Sequence, residues 1–160
     1  MKYYIDLTKE KGCVGILFTH PENTAVFVGT TVHTEEAKLR DHPTAKRYAE
    51  ECDFHFFFDG DELPAFYTVP QTEIGGCDSQ DGLFAGSYHF DLRGEPLYYI
   101  DRDGKFFLIT ENSGEFLEMG LSWREKMVLT DAIEVFASRE EAERKYKIWE
   151  WEELLKEGDL

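Results

Sequence analysis

Two kinds of residue in this chain could do chemistry: a cysteine in a glycine-rich loop, and carboxylates in two tight turns. Cys77 lies in the segment IGGCDSQDG, where a thiol becomes reactive only if a nearby base or cation lowers its pKa. His55, His89 and Asp78 are the candidate helpers, but no local spacing places any of them beside the thiol. Because no signature of a cysteine enzyme surrounds Cys77, the sequence favours a structural cysteine.

The carboxylates of the turns DGDELP and DRDG have the chemistry of ligands for a hard cation such as calcium. Asp59, Asp61 and Glu62 lie in the first turn, which lacks the distal glutamate of an EF-hand loop. Asp101 and Asp103 lie between two apolar segments, as expected for a hairpin turn. The sequence has no HxH, HxxxH, HExxH or CxxC pattern, so it predicts no metal, no cofactor and no catalytic residue.

The chain is strongly acidic, with 33 Asp and Glu residues against 17 Lys and Arg and a formal net charge of −16. The excess is present in both halves of the sequence and therefore belongs to the whole surface rather than to a tail. Long-range repulsion disfavours DNA, RNA and anionic membranes as partners. The charge favours a basic protein partner or simply provides solubility, and solubility is the better interpretation of the charge taken alone.

Length and composition predict one compact domain over residues 1–160, since 42% of the residues are hydrophobic and 15% are aromatic. The three cysteines are widely spaced, which is typical of reduced thiols in a cytoplasmic protein. The first residues do not resemble a signal peptide, and no apolar run approaches the roughly 20 residues that cross a bilayer. We therefore expect a cytoplasmic protein.

The hydrophobic pattern predicts an α+β fold, with a mostly antiparallel twisted sheet of about six strands and helices packed around it. Residues 3–7, 13–18 and 25–29 predict three strands of an antiparallel meander. Asp103-Gly104 predicts a hairpin between residues 97–100 and 106–109, because glycine adopts the positive φ that such turns require. Further strands are predicted at residues 54–58, 66–69, 83–92 and 133–136.

Capping signals predict the helices. Thr34 is the candidate N-cap of a first helix, Pro43 begins a second one over residues 43–52, and Ser113 caps a third that runs to about residue 122. Ser138 followed by Glu141 is a capping box. It predicts a long C-terminal helix over residues 138–157 that packs its aromatic residues onto the sheet.

Residues 67–121 resemble proteins of the SUKH superfamily, many of which are bacterial immunity proteins. The resemblance covers about a third of the chain, YTVPQTEIGGCDSQDGLFAG and then PLYYIDRDGKFFLITENSGEFLEMGL. The similar features are Asp78-Ser79 with a nearby glycine, an apolar strand leading into YYIDRDG, and the EFLEMGL helix. Two features depart from the family pattern: the early apolar-Pro-acidic-Tyr signature is missing, and Gln80-Asp81 stands where a further glycine is common.

The resemblance implies a non-catalytic protein that binds and neutralises a cognate toxin. If that toxin is a basic nuclease, an acidic inhibitor is steered onto its nucleic-acid-binding surface. We expect the glycine-rich loop and the acidic turn to present this face together. The predicted partner-binding residues are Asp59, Asp61, Glu62, Asp78 and Asp81.

Two other classes of function stay open at this point. An enzyme that uses Cys77 or a carboxylate cluster requires a deep pocket with a perturbed cysteine or histidine beside it. A self-associating accessory protein requires an apolar patch, expected on the predicted helix 138–157, and a stable homodimer.

Overall fold

The computed structural model describes residues 1–9 and 23–157, which form an α+β architecture with three sheets. The predicted strand at residues 13–18 and the turn before it lie outside the described residues. The strands are β1 (Lys2–Asp6), β2 (Thr24–Val28), β3 (Thr30–Val32), β4 (His55–Phe56), β5 (Tyr67–Val69), β6 (Thr72–Cys77), β7 (Leu83–Ser87), β8 (Leu97–Ile100), β9 (Phe106–Thr110), β10 (Val128–Leu129), β11 (Glu134–Phe136) and β12 (Ile148–Glu150). The α-helices are α1 (Pro43–Cys52), α2 (Phe116–Met119), α3 (Trp123–Lys126), α4 (Arg139–Glu143) and α5 (Trp151–Glu157).

The largest sheet has the strand order β10-β9-β8-β7-β6-β3, and β4 also pairs with β6. Its pairs are antiparallel except for β3 with β6, which is parallel. The predicted hairpin between β8 and β9 is confirmed: Asp101 Oδ1 accepts the backbone N–H groups of Asp103 and Lys105, and Gly104 has a φ of +81°. Glycine is needed there because a side chain at that φ is strained.

The second sheet has the order β12-β1-β2 and is entirely parallel. In the predicted antiparallel meander the strand at residues 13–18 separates these two strands, so the direct pairing of β1 with β2 shows that this prediction is wrong. The sheets as a set are mixed rather than mostly antiparallel. A small antiparallel pair, β11 with β5, lies beside it, and the Gly29 N–H donates to the Thr68 carbonyl at 2.8 Å. This bond joins the end of β2 to β5.

The prediction of a long C-terminal helix over residues 138–157 is wrong. The predicted capping does form, since Ser138 accepts the Glu141 N–H, but α4 ends at Glu143. The chain then becomes the strand β12, which pairs with β1, before α5 begins at Trp151. Hydrogen bonding to β1 and burial of Ile148 beside Val28 outweigh the helical propensity of this charged segment.

The other helix predictions have mixed outcomes. Helix α1 forms as predicted with Pro43 in its first turn, and His42 is its N-cap. Thr34 caps no helix, because only a single 3₁₀ turn forms at Ala37–Leu39. Ser113 does not cap the third helix, since the side chain of Asn112 accepts the Gly114 N–H instead.

An aromatic core lies between the large sheet and the helices α1 to α3. Phe54, Phe84, Phe116 and Trp123 are completely buried there, and Trp123 Nε1 donates to the Cys52 carbonyl at 2.8 Å. Edge-to-face and tilted ring contacts join them, such as Phe84 with Trp123 at 5.1 Å between centroids. No helix in the described part of the chain is both long and apolar enough to cross a membrane.

Candidate functional site

The five predicted partner-binding carboxylates lie in two loops, residues 59–62 and residues 78–82. Strand β4 runs antiparallel to β6, with Phe56 opposite Gly76. The next residues, Phe57 and Phe58, lie beside Glu35, and the 78–82 loop follows the end of β6. Asp61 and Asp81, one from each loop, both raise the pKa of the Cys77 thiol, so both carboxylates lie near Cys77. That the two loops present one face to a partner stays a prediction.

Asp78 is a structural residue of the 78–82 loop. Its side chain is 0% exposed, and it accepts hydrogen bonds from Tyr99 Oη at 2.6 Å and Arg124 Nη1 at 2.9 Å. The backbone N–H groups of Gln80 and Gly82 also donate to it. All its acceptor capacity is used within the fold, so Asp78 presents no surface to a partner. Asp81, in contrast, is exposed at the tip of the loop with a φ of +62°.

The partner of Asp78 that the sequence does not reveal is Arg124, on α3. Its guanidinium also donates to Asp53 Oδ2 at 2.6 Å, so it joins the C-terminal end of α1 to the 78–82 loop. Burial opposes ionisation of Asp53, but the hydroxyl and N–H groups of Ser79 and the His55 ring hold the pKa of this carboxyl below its usual range. We call Asp53, Asp78, Tyr99 and Arg124 the Arg124 network.

Cys77 lies close to this network but is not activated. Its thiol is partly buried, and burial raises its pKa, as do the surrounding carboxylates of Asp78 and Asp53. His55 lies opposite Cys77 in the β4–β6 register, yet its Nε2 is bonded to Asp53 at 2.9 Å. The structure therefore supplies an environment that disfavours the thiolate, the opposite of what a nucleophilic cysteine needs.

The 59–62 loop is a turn with three carboxylates of different surroundings. Asp59 accepts a hydrogen bond from the Thr34 hydroxyl at 2.6 Å. Asp61 accepts from Arg40 Nη2 and from the Phe58 N–H, both at 2.8 Å, and these two bonds lower its pKa. Glu62 is exposed and has no hydrogen bond or ion pair within the described residues.

An apolar groove lies beside the 59–62 loop, between α1, the 3₁₀ turn and β4. Its volume is about 180 Å³. The floor is carbon-rich, from Leu39, Ala45, Phe56 and Phe58, and Glu35, His42 and Thr44 complete the lining. The aromatic run FHFFF indicates buried rings, but nothing in the sequence indicates that two of them border a groove, because the opposite wall comes from a helix separated from them by several residues.

Comparison with known protein families, curated proteins and solved structures found no match to this chain. Within residues 1–9 and 23–157, no group of three or more His, Cys, Asp or Glu side chains is arranged to hold a metal ion.

Proposed function

We propose that this protein is a non-catalytic binding module whose partner is a basic protein, and that it acts as an immunity protein that neutralises a cognate toxin. The partial SUKH resemblance of residues 67–121 supports the second half of the proposal. A basic nuclease domain is the toxin class that best fits the charge, because its phosphate-binding surface is complementary to an acidic inhibitor.

The observation that carries the proposal is a surface of carboxylates that the chain does not neutralise. Many exposed acidic residues form no ion pair with any described residue. They include Asp41, Glu50, Glu62, Asp81, Asp103, Glu118 and Glu125. With a net charge of −16, such a surface attracts a basic protein, accelerates its association and repels nucleic acid.

The alternative of a cysteine enzyme has less support. The pKa of the Cys77 thiol is raised by burial and by neighbouring carboxylates, and His55 is engaged with Asp53. The alternative of a self-associating protein has one specific feature in its favour, the exposed apolar residues Val128 and Leu129 on the edge strand β10. The predicted apolar patch on a helix over 138–157 does not exist, because that helix is interrupted by β12.

The test begins with capture of partners from an extract of the source cells at low salt, and continues with association kinetics of the captured protein. We expect a basic partner whose association rate falls steeply between about 20 mM and about 500 mM salt. Cys77→Ser should bind and neutralise the partner as the wild type does. A partner whose association rate is independent of salt would overturn the proposal.

A charge-reversal pair then locates the surface. Glu62→Lys combined with Asp81→Lys alters two exposed carboxylates that have no ion pair among the described residues. Because lysine tolerates the φ of +62° at position 81 less well than aspartate does, circular dichroism first checks that the variant is folded. We expect the association rate to fall about tenfold at low salt. The matched control, Glu140→Lys with Glu153→Lys, makes the same change in net charge at exposed positions of α4 and α5. Equal slowing by both pairs would remove Glu62 and Asp81 from the contact surface.

A further inference from the structure

The groove beside the 59–62 loop has the size of a site for one side chain. Its volume of about 180 Å³ is below the roughly 300–1,000 Å³ of typical small-molecule pockets. Its floor combines two phenylalanine rings with Leu39 and Ala45. Such a surface excludes water from an apolar side chain inserted between α1 and β4.

An arginine of the chain itself already stacks on Phe58, one of the two rings that line this groove. The Arg40 guanidinium carbon lies 4.7 Å from the centroid of the Phe58 ring, and Nη2 donates to Asp61 Oδ1 at 2.8 Å. Stacking on an aromatic face with a hydrogen bond to a carboxylate is the arrangement in which proteins recognise guanidinium groups. Asp61 is itself held by the Phe58 N–H, so ring and carboxylate form a fixed pair.

The bond that holds Arg40 in place can be exchanged. The Arg40 side chain is 53% exposed, and exposed ion pairs contribute only about 0.2–1 kcal/mol. The neighbouring carboxylates Asp41 and Glu62 are exposed and have no cation among the described residues. A cationic group that approaches the groove therefore meets unpaired carboxylates and the preformed pair of Phe58 and Asp61. Arg40, which now contacts this pair, is held only weakly.

We propose that this groove is the anchor point for the basic partner, and that it takes an arginine adjacent to a large apolar side chain. The partner's arginine replaces Arg40 on Phe58 and Asp61, and the apolar side chain enters the groove lined by Leu39, Ala45 and Phe56. The inference rests on the proposed function and names the chemistry that the partner must present. Asp59 and Glu62 then provide the surrounding negative charge.

The test is a titration of the isotopically labelled full chain with the peptide acetyl-Gly-Arg-Leu-Gly-amide. Binding is monitored through the chemical-shift changes of the backbone amides in NMR spectra. We expect the shifts to centre on Ala45, Phe58 and Asp61. The analogue with lysine in place of arginine should bind more weakly, because an ammonium group cannot stack and donate in the same planar fashion. Ala45→Trp fills the groove from a partly exposed helix position and should abolish binding.

The decisive variant is Arg40→Ala, which should bind the arginine peptide more tightly, by up to about fivefold, because an internal competitor has been removed. Arg47→Ala is the matched control: it makes the same charge change by removing another exposed arginine, one that pairs with Glu51 along α1. Equal affinities of the two variants, or shifts that centre elsewhere, would overturn the inference.

This outcome is separable from that of the proposed function, since the titration uses no partner protein. If a basic partner associates in a salt-dependent manner but the peptide does not bind in the groove, only the groove assignment is overturned. A groove that binds the peptide as expected supports this inference, and the capture experiment then decides separately whether a basic partner exists.

Discussion

At the scale of single residues, Arg124 is a charged side chain on which stability should depend strongly. It is 23% exposed and donates to two carboxylates, of which Asp78 has no exposed surface. Arg124→Ala would leave Asp78 as a buried carboxylate without its cation, supported only by Tyr99 and two backbone N–H groups. We expect the free energy of unfolding to fall by about 2–3 kcal/mol, measured by urea denaturation.

Arg93→Ala is the control for this change. Arg93 also pairs with an aspartate, Asp91, but its side chain is 90% exposed. Such a pair is screened by water and should contribute nothing measurable. Comparable losses for the two arginine variants would contradict the assignment of Arg124 as a buried bridge.

The pH dependence of stability should report on Asp53. The pKa of this carboxyl is lowered in the folded state, so it contributes stability above the pKa of the unfolded chain, and the contribution is lost as pH falls through the folded value. The wild type should therefore exceed Asp53→Asn by about 1–2 kcal/mol at neutral pH, and the difference should shrink below about pH 4. Urea denaturation of both proteins across this range measures it, and a difference independent of pH would show that ionisation is not involved.

The surroundings of single side chains are also the hardest feature to predict from the sequence. Asp78 and Asp81 stand in one glycine-rich loop and have the same charge, yet one is buried and the other is exposed. What separates them is Arg124, which lies far along the chain and reaches the loop only because α3 packs against it. Local spacing carries no information about such a contact. The turn at Asp101–Gly104 was predictable because all its hydrogen bonds are local.

At the scale of elements, the edge strand β10 exposes two neighbouring apolar side chains. Val128 and Leu129 are each 63% exposed, and β10 ends the strand order of the large sheet. An apolar edge is a template for pairing with another chain. Leu129→Lys should slow aggregation on mild heating, measured by light scattering, with little change in melting temperature because the side chain is already exposed.

The control for Leu129→Lys is Thr130→Lys, at the residue directly after β10. A lysine substitution on a buried strand is unsuitable, because it would disrupt the core. Thr130→Lys introduces the same charge near the edge but retains both apolar side chains. Equal protection by the two variants would indicate that added charge, rather than loss of the apolar edge, suppresses aggregation.

Elements stabilised by their own side chains were predictable, and elements that depend on distant pairing were not. Helix α1 has its proline start and its N-cap within its own sequence. The segment around Ile148–Glu150 is flanked by charged residues of high helical propensity, which is why a continuous helix is the natural prediction. Its strand conformation is imposed by hydrogen bonds to β1, at the other end of the sequence.

At the scale of the whole molecule, the net charge of −16 should make stability depend on salt. Self-repulsion destabilises the compact state, and salt shortens the range of this repulsion from about 30 Å at 0.01 M to about 8 Å at 0.15 M. We expect the melting temperature to rise between these two conditions by about 2–4 °C, which corresponds to about 1 kcal/mol for a chain of this size.

The Glu62→Lys and Asp81→Lys double variant is less negative and should show a smaller rise. A melting temperature that falls with added salt would mean that specific ion pairs, such as those of Arg139 with Asp6 and Glu150, outweigh the general repulsion.

The α+β class was predictable from the alternation of strand-like and helix-like segments, whereas the mixture of parallel and antiparallel pairs was not. Strand direction depends on how the chain crosses between elements, and hydrophobic alternation is the same for both directions. The parallel pairing of β1 with both β2 and β12 is the clearest example.

That pairing also constrains the order in which the protein can be completed. Strand β1 leaves the ribosome well before β12, and it lies between β2 and β12 with Ile5 fully buried. One of its two hydrogen-bonding edges is satisfied only after Ile148–Glu150 has been synthesised, so the nascent chain must keep one edge of β1 unpaired with β12 until those residues have emerged. This contact pairs Tyr4 with Ile148, and so large a sequence separation makes completion of the sheet a late and slow step.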